Sequence, residues 1–70
     1  MTKHEAVDKR FTYNAPKGDQ VERYQKLRDK FRELAHMIVD LTPDCVDQDV
    51  ALRKLSEASM AVNITIACNE

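Results

Sequence analysis

The sequence predicts an all-α protein: a short N-terminal helix and an extended strap, then an antiparallel helical hairpin that assembles with copies of itself. Three observations carry that expectation. From Tyr24 to Leu41 the large apolar residues fall at spacings of 3, 4, 3, 4 and 3, the seam of a heptad helix. Pro43 stops that helix, and a second apolar-periodic stretch follows at once. The second stretch carries two apolar stripes, whereas a lone hairpin covers one face of each helix.

The whole chain, residues 1–70, reads as one domain. Residues 1–10 form an N-terminal segment in which His4, Glu5, Ala6, Val7 and Lys9 suit a short helix with a mobile start. Residues 11–18 form the strap. Pro16 pushes Ala15 out of the helical region, and Gly18, the only glycine, is free to take the dihedrals a corner needs. The first long helix is expected over 19–42. Asp19 is its N-cap, with Glu22 three residues on as in a capping box. Its seam is Tyr24, Leu27, Phe31, Leu34, Ile38 and Leu41. The second helix is expected over 46–68, capped by Asp44 or Asp47. One of its faces carries Leu52, Leu55, Ser59, Val62 and Ile66, and another carries Met60, Ile64 and Ala67.

Composition narrows the function. A chain of 70 residues rarely draws more than about 3–5 kcal/mol from its own core, so partner chains are the expected source of further burial. Cys45 and Cys68 form no CxxC and stand near no suitably spaced histidine, so no metal site is expected. No secretory leader and no membrane-spanning run are evident, which suits a reduced, cytosolic protein with two free thiols. A net charge of −1 argues against a DNA or RNA polymer as partner. A small ligand with few phosphates needs only a local cluster of cations. There is no glycine-rich phosphate loop. No Ser/His/Asp or Cys/His arrangement is legible, so no enzyme and no cofactor are expected. Asp40, Asp44, Asp47 and Asp49 gather at the interhelical turn, where caps and solubility account for them.

Two residues stand out as binding candidates. Tyr13 lies in the strap, outside any heptad, where its ring can stack on a base or simply pack the strap onto the hairpin. Phe11 and Pro16 are expected to anchor the strap. With Tyr24 at heptad position a, Arg28 falls at e, on the rim of the seam, where a guanidinium suits a phosphate. Lys30 falls at g, on the other rim, and Lys26 at c, facing away. Each of these cations also fits an ordinary solvated helix face. Asn63, beside the apolar stripe, is expected to set helix register.

Three motifs carry a resemblance. They are Thr12-Tyr13-x-x-Pro16, Gln20-Val-Glu-Arg-Tyr-x-x-Leu-Arg28, and Ala51-Leu-x-Lys-Leu with Asn63-x-x-Ile-Ala67. Over Phe11 to Glu70 the chain resembles the phage anti-CBASS cyclic-oligonucleotide sponges, small helical hexamers that sequester the cyclic nucleotide signals of bacterial immunity. The resemblance implies a non-catalytic binder of cyclic dinucleotides such as cyclic GMP–AMP, acting in the cytoplasm of the infected bacterial host. It assigns base stacking to Tyr13 and phosphate contact to a cation of the first long helix. Arg28 matches best, with Lys26 and Lys30 beside it. Asn14 stands where the family tends to carry histidine and can still meet a base edge. The family's second kind of pocket, for cyclic trinucleotides, is associated with an arginine where this chain has Cys68, which puts that ligand in doubt here. The rival is a helical oligomerisation or protein-interaction module with no small ligand. The heptads fit it equally well, but it has no need of the Tyr13 strap.

Overall fold

The computed structural model describes residues 2–70 and shows three helices in the order α1, Lys3–Phe11; α2, Gln20–Leu41; and α3, Val46–Asn69. Among the described residues there is no strand. The chain is therefore all-α, with α2 and α3 packed as the hairpin and α1 laid against α3.

Helix α1 begins on a Thr-x-x-Glu signal. The Thr2 hydroxyl accepts from the Glu5 backbone N–H at 3.2 Å and donates to the Glu5 carboxylate at 3.2 Å, which satisfies one of the orphan donors of the first turn. The helix takes in Phe11, placed in the strap by the sequence reading, and Thr12 caps it with its N–H and hydroxyl on the Asp8 carbonyl. Phe11 is 84 % exposed, so within the protomer it anchors nothing. The strap ends in a turn where Gly18 adopts φ +59°, a left-handed conformation that costs other residues a steric penalty.

The start of α2 departs from the expected capping box. Asp19 makes no side-chain bond to a backbone N–H and pairs instead with Arg23 at 3.2 Å. Gln20 does the local stitching. It is buried, its Oε1 accepts from the Lys17 N–H at 3.1 Å, and its Nε2 donates to Glu70 at 3.2 Å. Arg23 grips the same Glu70 carboxylate with both terminal nitrogens. The two donors hold the Glu70 carboxyl down at about 2, Arg23 first and Gln20 second. The far end of α3 is thus latched to the first turn of α2 and to the end of the strap.

A second buried glutamine builds the interhelical corner. Neither Asp44 nor Asp47 caps α3; its N-cap is Cys45, which offers no side-chain bond. Gln48 is buried, and its Nε2 faces the Ile38, Val39 and Thr42 carbonyls at 3.3–3.4 Å and the Thr42 hydroxyl at 3.0 Å. These are orphan acceptors at the end of α2, which a helix C-terminus must satisfy somehow.

The seam between α2 and α3 is shifted from the expected one. On α2 the half-buried residues are Tyr24, Leu27, Phe31, Ala35 and Ile38, while Leu34 and Leu41 are exposed. On α3 the first of the two predicted stripes, Leu52, Leu55, Ser59, Val62 and Ile66, is half-buried or buried, as are Gln48, Val50, Ala67 and Cys68. Ile66 is the only buried apolar side chain among the described residues. The surface totals 5881 Å², about 1,400 Å² more than a compact monomer of this mass. The radius of gyration, 15.1 Å, likewise exceeds the ~11 Å of a globule of this length.

Candidate ligand-binding site

The contact of α1 with the end of α3 makes a cleft of about 390 Å³. One wall is the last turn of α1, with Lys9 and Arg10, continued by Thr12, Tyr13 and Asn14 of the strap. The opposite wall is α2, through Tyr24 and Arg28, and the floor is α3, through Asn63, Ile64, Ala67 and Cys68. The Cys68 thiol donates to the Lys9 carbonyl at 3.2 Å and so helps fix α1 in place. Residues 55 positions apart in the chain, from Tyr13 to Cys68, meet here only because α1 turns back onto α3.

The chemistry of the cleft is lopsided. Lys9, Arg10 and Arg28 contribute three cations, and no carboxylate lines it. Among the described residues none of the three is engaged in an ion pair. The chain's net charge of −1 therefore conceals a local basic cluster. Two aromatic rings border it: Tyr13, 85 % exposed, and Tyr24, half-buried. A ring so bare presents its face to a flat ligand, and guanidiniums without partners are ready to fork onto phosphate oxygens.

The structure brings together three of the predicted positions and separates two. Tyr13, Asn14 and Arg28 share the cleft. Lys26 lies outside it, and Lys30 is turned to Glu33 at 3.2 Å on the exposed side of α2. Asn14 is partly occupied: its Nδ2 donates to the Thr12 carbonyl at 3.0 Å, which leaves its Oδ1 to face a ligand. Cys68 also lines this cleft, so the protomer does not divide a Tyr13 site from a Cys68 site. The sequence reading missed Lys9 as a member of the cluster and Tyr24 as more than a seam residue. The pairing of cations at the last turn of α1 was visible in the chain; their position opposite Arg28 was not.

An α-helical hairpin, with a short leading helix packed on α3 beside an aromatic, cation-lined cleft, defines a small helical hairpin domain. The chain belongs to the family described as the Acb2/Tad1 hairpin domain, which matches residues 3–67. This is the anti-CBASS sponge family, known as anti-CBASS protein 2 and Thoeris anti-defense 1. No curated protein and no solved structure matches the chain.

Proposed function

We propose that this protein is a non-catalytic sponge that captures cyclic dinucleotides, cyclic GMP–AMP among them, and thereby starves the effectors of bacterial CBASS immunity. The observation that carries the reading is the cleft itself, where an exposed Tyr13 ring stands with the unpaired Arg10 and Arg28 guanidiniums. A base stacks on Tyr13, and the phosphates lie against Arg28 and the α1 cations. Family membership supports the same kind of ligand.

A volume near 390 Å³ is at the small end for ligand pockets, so one protomer encloses part of a cyclic dinucleotide and a neighbouring copy covers the rest. The functional unit is a homo-oligomer, a hexamer by family. Excess surface of about 1,400 Å² per chain corresponds to two interfaces of roughly standard size, at about 800 Å² per partner each. Val21, Leu34, Met37, Leu41 and Met60 supply exposed apolar groups for those contacts. Cyclic trinucleotides bind weakly, since the neutral Cys68 thiol replaces a phosphate-gripping arginine. The protein is of phage origin and works in the cytoplasm of the infected host. No helix among the described residues is long and apolar enough to cross a membrane.

The test is release. The protein is incubated with cyclic GMP–AMP, then removed by heat, and the supernatant is analysed by chromatography. Capture followed by return of intact nucleotide is the expected result. Degraded nucleotide identifies an enzyme, and absence of capture leaves the helical adaptor as the better reading.

A further inference from the structure

A second, separate groove lies along the hairpin seam, on the other side of Arg28. It measures about 300 Å³. Phe31, Leu52 and Leu55 form its apolar floor, Arg28 and Arg32 stand on the α2 side, and Ser56 and Ser59 on the α3 side. Arg28 and Arg32 are one helical turn apart, about 6 Å, and on the same face.

Its polar groups are unspent. Among the described residues neither guanidinium is in an ion pair. Of the carboxylates close to Arg32 in sequence, Glu33 pairs with Lys30 at 3.2 Å and Asp29 accepts from Gln25 at 2.8 Å. Helical serines and threonines commonly return their hydroxyls to the carbonyl four residues back. Thr65 does so, at 3.0 Å to Ala61, whereas Ser56 and Ser59 have no such bond among the described residues. Two forked cations and two free hydroxyls therefore converge over an apolar floor, and no carboxylate lines the groove.

We propose that this groove is a second ligand subsite, which takes an organic phosphate ester. The phosphate sits between Arg28 and Arg32 and accepts from Ser56 and Ser59. The apolar or aromatic remainder rests on Phe31, Leu52 and Leu55. The volume has room for a group of about mononucleotide size. Because Arg28 lines both clefts, the two sites share a cation, and a ligand in one draws Arg28 from the other.

The experiment uses AMP as probe and inorganic phosphate as control, titrated calorimetrically into full-length Tyr13→Ala protein so that stacking in the first cleft is removed. AMP should bind, and adding Arg32→Ala should weaken it by at least about tenfold, the scale of one charge-assisted contact. Adding Ser56→Ala and Ser59→Ala together should weaken it several-fold, with helicity unchanged. Arg32→Ala alone should bind cyclic GMP–AMP as the parent does. No AMP binding in the Tyr13→Ala protein, or binding indifferent to Arg32, overturns the subsite. Inorganic phosphate binding as well as AMP overturns the role of the apolar floor. If AMP binding depends on Arg32 while the parent ignores cyclic GMP–AMP, the subsite stands and the sponge reading falls.

Discussion

Tyr13→Ala separates the cleft's chemistry from its architecture, because the ring does almost nothing for the fold. At 85 % exposed, it keeps covered only some 30 Å² of the roughly 150–250 Å² an aromatic side chain carries. At about 25 cal/mol per Å² that is worth less than about 1 kcal/mol of folding. The ligand loses far more. A base stacked on an aromatic ring contributes about 1–3 kcal/mol, so the dissociation constant for cyclic GMP–AMP should rise roughly 5- to 150-fold. Calorimetric titration of parent, Tyr13→Ala and Tyr13→Phe measures it, with circular dichroism to check that helicity is intact. Tyr13→Phe keeps the ring and should bind close to the parent. Equal affinity in parent and Tyr13→Ala refutes stacking. Loss in Tyr13→Phe as deep as in Tyr13→Ala shows the hydroxyl, not the ring face, to be what the ligand meets.

Further outcomes follow from the same geometry. Arg28→Ala should weaken cyclic GMP–AMP by about 1.5–3 kcal/mol, the worth of a charged hydrogen bond, while Lys26→Ala and Lys30→Ala leave titrations near the parent's; the reverse order would move the phosphate site off the cleft. Gln48→Ala should cost about 1–3 kcal/mol in urea unfolding, since it takes the amide donor from the Val39 and Thr42 carbonyls at the end of α2. Light scattering should give a mass several times the 8.1 kDa chain, and Met60→Glu should lower it by placing a charge in an apolar contact; a folded parent monomer sinks the assembly. Glu70 has its carboxyl depressed from 4.5 to about 2, so the stability of its latch is present above pH 4.5 and lost as pH falls toward 2. Glu70→Gln should therefore melt below the parent at neutral pH, with the gap closing across that acid window and narrowing in high salt.

Periodicity carried most of the hairpin. Pro43, the α3 stripe from Leu52 to Ile66 and four of the six seam residues on α2 were legible because burial at helical spacing leaves a trace in any single chain. Leu34 was misread because it is larger than Ala35. In the fold Ala35 takes the inward position and Leu34 turns outward, so the seam steps 3, 4, 4, 3 and drifts from a strict heptad as a straight helix does. The caps were misread for a different reason. An aspartate before a helix serves either the backbone or a cation one turn on, and Asp19 serves Arg23. Thr2 offered a side-chain N-cap to Glu5 that was there to be read. The cleft needed tertiary knowledge. Nothing in the local sequence of α1 says that Lys9 will meet Cys68, or that Arg10 and Arg28 will line one cleft.

Ile66 alone is buried among the apolar side chains described, and this bears on how the protein accumulates. With so thin a core, a freshly made chain has little to protect it from proteases until it meets others of its kind. On the proposed assembly, gathering follows mass action, and the melting temperature should climb as the chains become more concentrated. For a sponge assembled as proposed, capture capacity would not grow in step with synthesis: sparse early copies would be mostly wasted, and past a threshold nearly every new chain would add to the pool.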